Sequence, residues 1–324
     1  MIRRGAAGRF LDVSGPVADA LAASAPVVAL ESTLIAHGLP YPLNLETVRE
    51  MMGAVEREGA VPAIVAVLDG TIRVGLDDRE LERVARDRQI AKTSSRDVPA
   101  LVATGASGAT TAAGTMFCAH LAGIDVFATG GIGGVHRRAS STFDVSADLY
   151  ELARTPVAVV CSGAKSILDV AATLEKLESL GVPVAGLGTD RFPAFHVRDS
   201  GLPVPHPVRD ATEAARVAAE VLAFGRTGVV IANPVPATDA MDRAEVERLV
   251  ETAERRARAS NVTGKALTPY LLRTLAESSA GATLRTNRSL LVDNARAAAE
   301  VARHLAVTRP RDTRDGPGGP GRGS

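Results

Sequence analysis

Short apolar runs alternate with longer amphipathic stretches over most of the chain. The runs Val27 to Glu31, Ala63 to Leu68, Thr71 to Val74, Leu101 to Ala103, Ile124 to Ala128, Val157 to Cys161, Val184 to Leu187 and Val229 to Ala232 read as strands, being short and bounded by turn residues. Between them, Asn44 to Glu58, Ala109 to Ala122, Ile167 to Leu180 and Ala211 to Phe224 repeat apolar positions at helical spacing. Alternation of this kind predicts an α/β fold with a mostly parallel sheet and crossover helices. After Asp242 the pattern is helical only, ending in a long helix from about Ser289 to Leu305. No linker or internal repeat interrupts it, which predicts one catalytic domain over residues 1–306, with two lobes as the alternative. The remainder, 307–324, ends in RPRDTRDGPGGPGRGS, a Pro/Gly/Arg-rich tail expected to be disordered.

Composition narrows the function classes. With 324 residues, 46% of them hydrophobic, the chain can bury one large core or two modest ones. No apolar run reaches the ~18 to 20 residues of a membrane span, and MIRRGAAGRF is followed by no apolar core or cleavage site of a signal peptide. Net charge is zero, and basic and acidic residues are interspersed rather than gathered in a basic stripe. Aromatics are 3% with no tryptophan, so stacking platforms are lacking too, and a nucleic acid polymer is a poor partner. Cys118 and Cys161 both lie in apolar segments and read as reduced core thiols, which suits a cytoplasmic address. Only four of the 37 basic residues are lysine: Lys92, Lys165, Lys176 and Lys265. A lysine amine can be deprotonated for chemistry where arginine cannot, so each retained lysine is a candidate.

In VVALESTLIAHGLPYP, Glu31 falls at the carboxyl end of a buried strand, where open α/β sheets build their sites. It reads as a general acid or base with its pKa raised by apolar surroundings, or as the cap of a turn through Ser32 and Thr33. His37 in the same segment is ambiguous and reads equally as a loop histidine. Lys92 in QIAKTSSRD stands among hydroxyl residues that suit an anion, or faces solvent. GASGATTAAGT opens a helix, where small residues let backbone N–H groups approach an anion or simply permit tight packing.

The densest signal is FATGGIGGVHRRASSTFDVSADL. Gly130, Gly131, Gly133 and Gly134 fall within five positions, implying close backbone approach or strained turns. The spacing is not a dinucleotide fingerprint, which argues against a dehydrogenase. His136, Ser141, Thr142, Asp144, Ser146 and Asp148 follow within thirteen residues. Asp144 and Asp148 with nearby hydroxyls suit a hard divalent cation such as Mg²⁺ or Mn²⁺; a self-bonded polar loop is the alternative. In VAVVCSGAKSILD, Lys165 follows an apolar strand at the mouth of a helix expected near Ile167. Desolvation and the helix N-terminus both disfavour an ammonium ion there, which is how an imine-forming lysine becomes nucleophilic; a phosphate-binding lysine is the other role. Lys176 in TLEKLES reads as solvated surface, and Lys265 precedes a helix.

These blocks, ALESTLIAHGLPYPLN, ATGGIGGVHR, TFDVSADL and VVCSGAKSILD, with GTDRFPAF, NPVP and GKALTPYLL, closely resemble the pseudouridine-5′-phosphate glycosidase family, which includes indigoidine-pathway proteins. The resemblance covers about residues 10 to 305 in unbroken order. It implies a three-layer α/β/α sandwich and a homotrimer. The activity implied is reversible cleavage of pseudouridine 5′-phosphate by water to uracil and ribose 5-phosphate. It implies Lys165 as nucleophile, Glu31 as proton donor, and Asp144 as the holder of one Mn²⁺, or another divalent ion, largely through waters. Substrate contacts would come from Lys92, Ala112, Ser146, Ala147 and Asp148, with His136 and Asn287 at further pocket positions. Chemically, carbon-linked uracil is a poor leaving group, so oxocarbenium-type acid catalysis is too weak. Opening of the ribose by Glu31 and imine formation on Lys165 would supply the missing electron sink. The chain departs from the family where Asp293 precedes Asn294 in place of two asparagines. An indigoidine-pathway relative acting on a related phosphoribosyl substrate is the alternative, and a sugar-phosphate sensor a non-catalytic one.

Overall fold

The computed structural model describes residues 9–87 and 89–308, apart from the side chain of Lys265; the RPRDTRDGPGGPGRGS tail lies outside the described residues. Among the described residues there are thirteen strands: β1 (Leu11–Val13), β2 (Val27–Glu31), β3 (Val61–Leu68), β4 (Thr71–Val74), β5 (Ala91–Thr93), β6 (Gly108–Thr110), β7 (Val126–Ala128), β8 (Val135–His136), β9 (Ala158–Cys161), β10 (Leu168–Asp169), β11 (Val184–Leu187), β12 (His206–Val208) and β13 (Val229–Ala232). Eleven of them form one sheet in the order β1-β4-β3-β2-β7-β9-β13-β11-β12, with β5 and β6 attached beside β3. Pairing is parallel except where β3 meets β4 and β6. The β3–β4 hairpin turns on Asp69 and Gly70, both left-handed at φ 48° and 76°, as a two-residue turn demands.

Alternation along each central strand divides the interior into two cores. Val28, Leu30, Ile64, Ala128, Val160 and Ile231 face one way, against the helices Leu43–Arg57, Ala211–Phe224 and Ala282–Thr308. Val27, Ala29, Val65, Phe127, Val159 and Val230 face the other, against Gly15–Ala22, Ala112–Ala122, Val170–Ser179 and Arg243–Ala259. A sheet covered on both faces is the three-layer sandwich, and it explains why the central strands are apolar on both sides. Cys118 and Cys161 are free and buried, and burial pushes the Cys161 thiol up to about 11. Among the described residues no helix is long and apolar enough to cross a membrane.

Four elements differ from the sequence reading by three residues or more. The expected strand Leu101 to Ala103 lies inside the helix Val98–Thr104, which has Pro99 in its first turn and stops at Gly105 in the left-handed region; local start and stop signals outweigh a three-residue apolar run. The helix expected from Ala109 starts at Ala112, capped by the Thr111 hydroxyl, because Ala109 belongs to β6. The helix expected near Ile167 starts at Val170, capped by Asp169, after β10 has paired with β8. The last helix begins seven residues early, at Ala282 rather than Ser289, because Thr283 and Thr286 are buried in it despite being polar.

Candidate functional site

Parallel strands β2, β7 and β9 end side by side, and the chain leaves β2 toward β3 but β7 toward β9. At such a divergence the strand ends leave a crevice. A cavity of about 420 Å³ opens there, lined by every residue singled out for the site: Glu31, Lys92, Ala112, His136, Asp144, Ser146, Ala147, Asp148, Lys165 and Asn287. A groove of about 490 Å³ elsewhere, between Leu43–Arg57 and the last helix, is lined by Glu50, Arg57, Arg285, Arg288 and Arg296 and by none of these residues. The chemistry therefore assigns the site to the smaller cavity.

Glu31 is the last residue of β2 and is 8% exposed. Burial raises its carboxyl above the ordinary range, against the opposing pull of Lys165 and the Thr129 hydroxyl, which donates to Oε1. The turn-cap reading does not hold. Ser32 Oγ instead donates to Val65 O at 2.6 Å, and Thr33 Oγ1 to Ala109 O at 3.2 Å. A buried carboxyl whose pKa is raised holds its proton to higher pH than an exposed one, which is the property a general acid needs.

Lys165 sits three residues past Ser162, which follows β9. Its backbone N–H donates to Ile132 O at 3.1 Å, and its Nζ to Gly131 O. Because Asp169 caps the next helix, which begins five residues on, the amine is not at a helix N-terminus. The pairing of a strand end with the glycine loop places it instead. Asn294, fully buried on the last helix, ties these ends together: its Nδ2 faces Thr129 O at 2.9 Å, Gly130 O at 3.2 Å and Ser162 Oγ at 3.1 Å.

The glycine run serves close approach. A side chain at Gly131 would meet Phe195 Cδ2 at 2.6 Å, and one at Gly133 would collide with Ser146 Oγ. Asp148 uses both carboxylate oxygens on backbone, accepting from Ala113 N at 2.9 Å and Gly133 N at 2.7 Å. These two bonds make Asp148 a clasp between the Ala112–Ala122 helix and the glycine loop. Ser146 caps the short helix Ala147–Leu152, accepting from Asp148 N at 3.2 Å.

Asp144, 33% exposed at its side chain, lies 3.8 Å from His136 Nε2. Burial holds the His136 imidazole below its usual range, so it is neutral and able to ligate, although Asp144 pulls the other way. Among the described residues no group of three His, Cys, Asp or Glu gathers as a metal cage. One carboxylate oxygen beside one imidazole nitrogen fits a divalent ion that keeps most of its waters, as Mg²⁺ and Mn²⁺ do. Lys92, on β5, and His37, on the π-helical turn Leu34–Gly38, line the cavity as well. Burial first, and Lys92 second, hold His37 below its usual range.

Asp293 accepts from Asn233 Nδ2 at 2.8 Å and pairs with Arg296 at 2.9 Å, so its charge is balanced on the side away from the cavity. Thr129, Phe195 and Asn294 were not identified from sequence as site residues. Thr129 carries a legible signal, a hydroxyl one residue past a strand adjacent to β2, whereas Phe195 and Asn294 arrive from remote segments.

A family model described as indigoidine synthase A like protein matches residues 16–304. The chain belongs to the indigoidine synthase A-like family. Curated relatives include proteins named pseudouridine-5′-phosphate glycosidase. One, from Caldanaerobacter subterraneus subsp. tengcongensis, is 51% identical over 92% of this chain and 97% of its own. Another, from Sorangium cellulosum, is 54% identical over 90% and 92%. Among solved structures, the prealnumycin C-glycosynthase AlnA in complex with ribulose 5-phosphate superposes with a TM-score of 0.85 at 43% identity, covering 92% of this chain and 97% of that one. An indigoidine synthase A-like protein of Thermotoga maritima gives 0.83 at 35%, with the same coverage. Within the indigoidine synthase A-like family, the mixed α/β sandwich with its helical C-terminal part is thus a shared frame.

Proposed function

We propose that the protein is a pseudouridine-5′-phosphate glycosidase, cleaving the carbon–carbon bond between uracil and ribose 5-phosphate reversibly. The observation that carries this reading is one cavity holding Glu31, whose carboxyl pKa is raised by burial, at the end of β2 and the Lys165 amine just past the end of β9. The names of relatives about half identical over nearly their whole length give the substrate.

The chemistry follows from the two groups. Lys165 Nζ bonds to C1′ as the C1′–O4′ bond breaks, and Glu31 gives its proton to the departing ring oxygen. The amine lone pair then forms an imine as the bond from C1′ to uracil C5 breaks, its electrons passing to C5, which takes up a proton. Water hydrolyses the imine, releasing ribose 5-phosphate and the free amine. Lys92, Ala112 and the Ser146–Asp148 segment bind the sugar phosphate, whose remote contacts hold C1′ in place; His136 and Asn287 complete the pocket. Asp144, with His136 beside it, would hold a divalent ion. Such an ion supplies electrostatic stabilisation of charge on substrate oxygens.

Incubation with pseudouridine 5′-phosphate and Mn²⁺ is expected to release uracil; no release refutes the reading. The likeness to AlnA favours a second reading, in which the same lysine and carboxyl form a carbon–carbon bond to another acceptor. Turnover of ribose 5-phosphate with uracil as the preferred acceptor decides for the first. Sedimentation velocity tests the homotrimer.

A further inference from the structure

Behind the cavity, one residue past Lys165, the structure holds a buried polar pair that the proposed chemistry does not use. Ser166 Oγ lies 2.9 Å from His196 Nδ1, and the two residues are 5% and 2% exposed. Burial lowers the pKa of the His196 ring, and the Thr283 backbone, at the start of the last helix, pulls it up against burial. With the ring proton on Nε2, Nδ1 accepts from the Ser166 hydroxyl. The backbone carbonyl of Ser166 accepts from Arg137 at 3.2 Å, and Arg137 in turn pairs with Glu247 on the helix Arg243–Ala259. His196 follows Phe195, whose ring stands edge-on to it at 4.7 Å and packs against Gly131, the residue whose carbonyl accepts from Lys165.

We propose that His196 is a positioning residue for Lys165, fixing through Ser166 the backbone from which the lysine stem rises. The proposal rests on Lys165 as the nucleophile. A lysine amine stands at the end of a four-carbon stem with much rotamer freedom, so its placement depends on how firmly its own backbone is held. Lys165 lies in the irregular segment between β9 and β10, where its N–H is bonded only to Ile132 and its carbonyl only to Leu168 N at 3.0 Å. The bond to His196 anchors this segment to the loop that packs Phe195 against the glycine run, itself held by Phe195 N to Ser162 O at 2.8 Å and Met241 N to His196 O at 2.9 Å. A Ser–His pair invites reading as a nucleophile with its base. Ser166 is not among the residues lining the cavity, however, and burial pushes His196 down to about 4, which makes it a weak base.

The test uses three variants of the full chain. Ser166→Ala removes the donor with little change in volume; His196→Phe removes the acceptor but keeps a ring; His196→Asn offers an oxygen near the place of Nδ1. Expected for Ser166→Ala and His196→Phe is a fall in kcat of about ten- to a hundredfold, the cost of misplacing a reacting group by up to an ångström. KM for pseudouridine 5′-phosphate should stay within about twofold, and borohydride trapping of ribose 5-phosphate on Lys165 should slow in step with kcat. His196→Asn should recover most of the loss. Ser166→Ala with wild-type kcat and trapping overturns the proposal whether or not His196→Phe folds. So does a rise in KM with kcat untouched, or labelling of Ser166 by a fluorophosphonate, which would make the pair a nucleophile. A wild-type protein that cleaves pseudouridine 5′-phosphate but traps nothing on Lys165 removes the nucleophile on which the proposal rests; one that cleaves nothing removes the glycosidase reading itself.

Discussion

Replacing Glu31 by glutamine separates chemistry from architecture at the centre of the site. Glutamine keeps the shape of the side chain and an oxygen to accept from Thr129, so the hydrogen bond, with a net value of about 1 kcal/mol, survives. What disappears is the transferable proton. General acids contribute about 10²- to 10⁴-fold, so kcat should fall by at least a hundredfold, or about 3 kcal/mol of barrier. Stability should move the other way. The folded-state pKa of Glu31 is raised by burial, so the folded chain holds its proton to higher pH than the unfolded chain does. Wild-type stability is therefore greatest below the unfolded value and falls as pH rises through the window up to the folded value. The loss is about 1.4 kcal/mol for each unit between the two. Glutamine has no such loss, so the variant should match the wild type at acid pH and equal or exceed it at neutral pH. Urea unfolding at several pH values, beside uracil release across the same range, gives both quantities. The alkaline limb of the wild-type rate profile, where the donor loses its proton, should be missing in the variant. A variant that unfolds more readily at neutral pH while keeping its rate would make Glu31 a structural residue and refute the proton-donor role.

Lys165→Arg keeps a positive charge without an amine that can form an imine, so turnover should vanish while ribose 5-phosphate still binds. In the wild type, borohydride during turnover should fix ribose 5-phosphate on Lys165 by mass spectrometry; an adduct on Lys92 instead would refute the assignment. Asp144→Ala should raise the Mn²⁺ concentration needed for activity and leave the circular dichroism spectrum unchanged, since the partly exposed carboxylate packs in neither core; unaltered metal dependence removes Asp144 from that role. Asn294→Ala leaves the Thr129 and Gly130 carbonyls and the Asn233 amide short of partners at the strand ends, and should cost about 3 kcal/mol or more in urea unfolding. A loss under 1 kcal/mol would show that water replaces the amide.

Periodicity and punctuation were sufficient for the central strands of the sheet, though not for the short strands β1, β5, β6 and β12. Runs such as VVAL and AVVC, apolar at every position, are dictated by burial on both faces, and a parallel sheet covered by helices is the arrangement that provides it. Glu31 and Lys165 were legible for a related reason. A charged residue at the end of such a run, or in the short turn after it, has to be solvated, paired or used, and sheet topology gathers strand ends at one edge. The roles of Asp148, Asn294 and His196 were not legible, because each depends on a partner far along the chain. Asp148 meets Ala113 N, Asn294 meets Thr129 O, and His196 meets Ser166. The amino-acid order states which groups are available and which local element each prefers. Which donor meets which acceptor is decided only when the helices close over the sheet and leave each buried polar atom a short choice of neighbours.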